Sequence, residues 1–158
     1  MNDPSRPGHD PALQRHHLLP RQLLTLRAFD RLFDTVGHDH LGLDDFRRNG
    51  LLLPARDEAA VRTGLPLHRG PHRRYNEVVI ARVGQIEAGW AALSSTNPSA
   101  ARLSAQARLA LLQRALRRRL LAARFGACRL SGRVPLGKMP DYSELDAMAA
   151  SLWPDLEP

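Results

Sequence analysis

The chain has 158 residues, with 23 Lys+Arg against 16 Asp+Glu, a formal net charge of +7, 43% hydrophobic and 5% aromatic residues, and one cysteine. A chain of about 150 residues buries roughly two-thirds of its unfolded surface, enough for one core without staples, and Cys128 has no partner for an internal disulfide. The first ten residues lack the basic and apolar regions of a secretory signal, and the longest strings of large apolar residues, 51–53 and 109–112, fall far short of a bilayer span, so the expectation is a protein made in the cytoplasm and not inserted in a membrane.

Residues 1–14, with three prolines and no periodicity, read as a flexible leader. A short strand is expected before Pro20, in the stretch Arg15-His16-His17-Leu18-Leu19. Leu26, Phe29, Leu32, Phe33 and Val36 recur at helical spacing and Gly37 follows them, which predicts one helix over 21–36. Residues 37–50 are rich in turn formers. Residues 51–53, too short for a helix and ended by Pro54, read as a buried strand, and 57–63 as a short helix before Gly64.

Pro71 suits the first turn of a helix, and His72, Tyr75, Val79, Val83, Ile86 and Trp90 follow at spacings of 3, 4, 4, 3 and 4. That places His72 on the inward stripe, in the first turn. Asn97-Pro98 opens a second long helix with the stripe Ala105, Leu109, Leu112, Leu116, Leu120 and Ala123, ending near Phe125-Gly126; Arg114, Arg117 and Arg118 fall away from that stripe, toward solvent. Asp141 and Glu144 have capping-box spacing, which predicts a last short helix ending near Trp153. The charge is unevenly placed: residues 97–140 hold ten basic side chains and no acid, whereas 141–158 hold five acids and no base.

Five residues stand out as candidates for chemistry: adjacent His16 and His17, then Asn49, then His68 and His72. Neutral imidazole is the commonest protein ligand for borderline metals, and two histidines separated by three residues have the ligand spacing of zinc-type sites. Neighbours in a strand point to opposite faces, so His16 and His17 are suited to different tasks. His38 and His40 lie in the turn-rich stretch and read as surface residues.

At these residues the chain resembles the AHH nucleases of the HNH and endonuclease VII superfamily, also called His-Me finger or ββα-metal nucleases. The matching stretches are RHHLLP at 15–20, NGLLLP at 49–54 and LHRGPHRRYNEVV at 67–79, in the family's order. They reach no further than Trp90. Two features depart from the family: Arg15 replaces the alanine of the family's name, and the gap from His17 to Asn49 is long. The resemblance implies that His17 is the general base, that His16 and His72 bind the catalytic metal with His68 as third ligand, and that Asn49 has an orienting role in the catalytic site. Tyr75, within the matched stretch, is expected to pack beneath the site.

The fold so implied is a mainly helical α+β protein, with a small ββα-metal nuclease core and additional C-terminal helices. The core would take 15–92, braced by a hairpin of 18–19 with 51–53, and a helical extension 93–158. The implied activity is metal-dependent endonucleolytic hydrolysis of DNA, with RNA as the open alternative, as in bacterial toxin or effector nucleases that are neutralised by an immunity protein, here an acidic one. Three histidines favour one divalent ion such as Zn²⁺, Ni²⁺ or Mn²⁺, while Mg²⁺ prefers oxygen ligands. Arg69, Arg73 and Arg74 beside His72, and Arg114, Arg117 and Arg118 on the second long helix, are candidates for phosphate contacts. The alternative is a non-catalytic nucleic-acid-binding or protein-interaction module on the same fold.

Overall fold

The computed structural model of the chain describes residues 2, 5, 7–69 and 72–122. The expected helix at 141–153, the acidic tail, residues 123–140 of the basic segment, Pro71 and Ala123 lie outside the described residues. The order is β1 (Leu13–His17), two 3₁₀ turns (Arg21–Thr25 and Arg27–Phe29), α1 (Asp30–Val36), α2 (His38–Leu41), α3 (Phe46–Asn49), β2 (Gly50–Pro54), α4 (Asp57–Thr63), α5 (Arg73–Ser94) and α6 (Pro98–Ala122). It is a mainly helical α+β fold. The sheet is one antiparallel pair, β1 against β2, in the register Leu13↔Pro54 to His17↔Gly50.

Four expectations are corrected. The stretch 21–36 is not one helix: Leu26 is extended (φ −96°, ψ 103°), and α1 starts only at Asp30. Its apolar spacing of three, Leu23, Leu26, Phe29 and Leu32, fits the three-residue turn of a 3₁₀ helix as well as an α-helix. The strand is 13–17, not 18–19, so β1 takes up the end of the expected leader; Asn2 Nδ2 also donates to the carbonyls of Asp10 and Leu13, both at 2.8 Å. His72 is the residue before α5 (φ −99°, ψ 52°) and not in its first turn. On α6, Leu112 is half-buried, and the buried neighbour is the polar Gln113.

Leu18 and Leu19, where the chain leaves β1, are fully buried. Over them lies the predicted stripe of α5, with Tyr75, Val79, Val83, Ile86 and Trp90 all buried. Helix α6 packs on α5 through Ala101, Ala105, Leu109, Leu116 and Leu120, which share one core with Leu32, Phe33 and Val36 of α1. A buried Leu or Val contributes about 1.5–3 kcal/mol, so α6 is as much part of the core as α5. Gly37 ends α1 with φ +86°, its N–H donating to the Phe33 carbonyl at 2.9 Å. No helix among the described residues is long and apolar enough to cross a membrane.

Candidate metal centre

The pleat of β1 sends His16 and His17 to opposite sides. His16 is 4% exposed. It faces His68, on the segment after α4, and His72, at the start of α5, with ring centroids 5.1 and 5.7 Å away; the His68 and His72 rings are 4.2 Å apart. One nitrogen from each ring lies within 4.8 Å of the others. His68 is brought there by the sheet, its N–H donating to the Pro54 carbonyl at the end of β2 at 2.6 Å. Tyr75 closes the floor: its ring meets His16 edge-on at 4.8 Å, and its hydroxyl donates to the Leu18 carbonyl at 2.7 Å. It packs beneath the site, as expected.

Burial pushes the His16 pKa down to about 3, with His68, His72 and His17 adding repulsion. Burial also lowers His68 to about 4, assisted by His72. Both rings are therefore neutral near pH 7, the form that offers a lone pair. His68 Nδ1 lies 3.1 Å from Gln14 Oε1, so Nδ1 carries the proton, and His68 Nε2 presents its lone pair 3.1 Å from His16 Nδ1. That separation is close to the edge of a tetrahedral site, about 3.4 Å for metal–nitrogen bonds of 2.0–2.1 Å. Gln14 holds the tautomer in the way outer-sphere partners of ligand histidines do.

His16 Nε2 is buried with no hydrogen-bond partner. A buried polar atom without a partner costs free energy and is rare. Three histidines that each offer a ring nitrogen within 4.8 Å of the others, two of them kept neutral by burial, are a donor set that fits a divalent ion. The donor set contains no carboxylate, so a bound ion would keep its full double charge for an anionic substrate.

His17, half-buried on the other side, has its ring edge-on to Phe46 of α3 at a centroid distance of 6.4 Å. Burial lowers its pKa, Arg15 and Arg21 lower it further, and Asp44 opposes them. The Arg15 guanidinium lies over the same Phe46 ring at 4.4 Å. Phe46 leaves no room for a side chain at position 50: a Cβ there would fall 2.0 Å from its Cδ2. This is why a glycine follows Asn49.

Asn49 is fully buried, and its side chain works as a clamp. Oδ1 accepts from Leu19 N at 2.7 Å, Nδ2 donates to the carbonyls of Leu19 and Leu43 at 3.0 and 3.2 Å, and the Asn49 carbonyl accepts from Leu18 N at 2.8 Å. It fixes the two residues that follow His17.

The arginines are placed unevenly. Arg73 lines a cleft of about 440 Å³ together with Gln22, His72, Asn76, Glu77 and Ile80. Arg74 is exposed in the first turn of α5, and Arg69 pairs with Asp57 at 3.2 Å. Arg114, Arg117 and Arg118 stand on α6, outside the histidine cluster. Arg114 and Arg118 are exposed, but Arg117 is half-buried and donates to the carbonyls of Arg47 and Arg48 at 2.9 and 3.2 Å, so it is not on an open solvent face. Its side chain completes hydrogen bonds that the last turn of a helix cannot make for itself. His38 and His40 are exposed, as expected.

Sequence reasoning missed Gln14, Phe46 and Gln113. Gln14 had a signal, since residues two apart in a strand share a face. The other two had none before the fold was known.

A two-stranded sheet and a helix together gather three histidines, with a fourth histidine next to the first, as the resemblance to the ββα-type nucleases leads one to expect. Residues 1–116 match the model of the AHH family, a nuclease family of the HNH/ENDO VII superfamily with conserved AHH. The chain belongs to that family and is a nuclease, with nucleic acid as its substrate. The match extends past Trp90, where the resemblance of the three motifs stops, and takes in most of α6. No curated protein and no solved structure matches the chain.

Proposed function

We propose that this nuclease is a metal-dependent endonuclease that hydrolyses phosphodiester bonds of DNA, with His16, His68 and His72 as metal ligands and His17 as general base. The observation that carries this reading is the convergence of His16, His68 and His72, which offer one ring nitrogen each within 4.8 Å of one another, with His16 buried. A divalent ion, when bound, supplies neutralisation of the phosphate charge and stabilisation of the leaving oxygen. His17 takes the proton from the attacking water, a task for which a neutral imidazole is suited near pH 7. Asn49 acts on the backbone at Leu18 and Leu19 and is a positioning residue. Arg73 and Arg74, at the start of α5, bind phosphate next to His72, with Arg69 beside them.

The nuclease core runs from Leu13, where β1 begins, to residue 92. The extension 93–158 supplies Arg114 and Arg118 to the nucleic-acid backbone. The formal charge of +7 suits both a polyanionic substrate and an acidic immunity protein, which supports the role of a bacterial toxin or effector. The test is incubation of the purified chain with plasmid DNA and, in parallel, RNA, in the presence of Mg²⁺, Mn²⁺, Ni²⁺ or Zn²⁺, with EDTA as control. Nicked and linear plasmid that require the ion are expected. Binding without cleavage under every ion would overturn the reading.

A further inference from the structure

Helices α1, α2 and α3 have seven, four and four residues. Helices so short are marginal alone, and their last carbonyls have no partner within the helix. One face of α6 supplies those partners in succession. Gln106 Nε2 donates to the Val36 carbonyl, the last of α1, at 2.9 Å. Gln113 Nε2 donates to the Leu41 carbonyl, the last of α2, at 3.0 Å and to Asn49 Oδ1, at the end of α3, at 3.3 Å. Arg117 donates to the carbonyls of Arg47 and Arg48 of α3. The three side chains are spaced by 7 and 4, the interval of a helical stripe, and Gln113 is only 6% exposed within an apolar core.

Two of the three contacts act on α3, the element that touches both sides of His17. Its first residue, Phe46, stands against the His17 ring, and its last, Asn49, clamps Leu18 and Leu19. We propose that Gln113 and Arg117 are positioning residues which, through α3, aim His17 at the scissile phosphate. The catalytic geometry therefore depends on α6. Gln106 differs: it reaches α1, which bears none of the assigned site residues. The inference rests on the reading of His17 as general base.

The experiment compares Gln113→Met and Arg117→Met with Gln106→Met in the full chain. Each substitution removes the donors and keeps a long side chain. Gln113→Met and Arg117→Met should lower kcat roughly ten- to hundredfold, the scale of a misplacement near 1 Å, with KM and calorimetric metal affinity unchanged; Gln106→Met should keep kcat. Histidine-selective ¹⁵N spectra at fixed pH give a readout independent of activity: the His17 ring resonances should move in the first two variants and not in the third. Unmoved resonances and kcat in both would overturn the proposal, as would an equal fall of kcat in Gln106→Met. A raised KM with intact kcat in Arg117→Met would return that residue to phosphate binding. Should Gln113→Met not fold, Arg117→Met carries the test. Absence of cleavage by the parent chain would count against the nuclease chemistry, while the ring resonances still decide whether α6 aims His17.

Discussion

Metal addition should raise the melting temperature of the parent chain, and the histidine variants should divide sharply on that readout. At a free ion concentration 100 times its dissociation constant, binding to the folded state alone contributes about 2.7 kcal/mol. For a chain of this size 1 kcal/mol moves Tm by roughly 2–4 °C, so the expected rise is roughly 5–11 °C. His17→Ala should keep the whole rise and lose cleavage by about 10² or more, the range of general-base effects. His16→Leu should lose the rise. Its metal-free form should melt close to the metal-free parent, because the substitution removes a buried nitrogen without a partner and, against that, the Nδ1 contact with His68 Nε2, opposing effects of about 1–3 kcal/mol each. His68→Ala and His72→Ala should also lose most of the rise. Differential scanning fluorimetry across Mg²⁺, Mn²⁺, Ni²⁺ and Zn²⁺, paired with plasmid cleavage, measures both quantities. A parent Tm that none of the four ions moves, or a full metal response retained by His16→Leu, refutes the assignment of the centre.

The long helices were legible because each carries a sustained apolar stripe, and a pattern of about four turns such as Tyr75 to Trp90 has no competing interpretation. The stretch 21–36 was not, since apolar residues three apart fit two helix types and nothing local announces that Leu26 turns extended. The histidines could be picked out by type and spacing, but their meeting could not. It depends on the register His16↔Leu51 and on the His68 N–H reaching Pro54, neither of which is a local feature of the sequence. Gln113 shows the opposite failure. As a polar residue off the predicted stripe it drew no notice, whereas the fold buries it with two acceptors, Leu41 O and Asn49 Oδ1. Arg117 was assigned to solvent for the same reason, and it too answers carbonyls that only the tertiary structure brings near.

Gly50→Ala should lower stability by about 1–3 kcal/mol, the usual range for overpacking, and blunt cleavage, since its Cβ would displace the Phe46 ring that borders His17; thermal melts and initial rates check it. Asn49→Ala strips partners from Leu19 N and from the carbonyls of Leu19 and Leu43, and urea unfolding should show a loss of about 3 kcal/mol or more. In a His17→Ala background that prevents cleavage, Arg114→Gln with Arg118→Gln should flatten the slope of log K against log salt by about two units; an unchanged slope returns both to simple surface residues. The last expectation concerns acid. In metal-free protein the folded pKa of His16 is about 3 and that of His68 about 4, against an ordinary 6.5. As pH falls from 6.5 toward 4 the unfolded chain takes up protons that the folded chain refuses, so stability is full above pH 6.5 and declines through that window. Buried His16 alone sets a slope of roughly 1 kcal/mol per pH unit, with a smaller increment of the same sign from the more exposed His68. Urea unfolding in EDTA at half-unit pH steps should show the decline in the parent and a distinctly shallower one in His16→Leu. Equal slopes in the two proteins would mean that His16 is not held neutral by its burial.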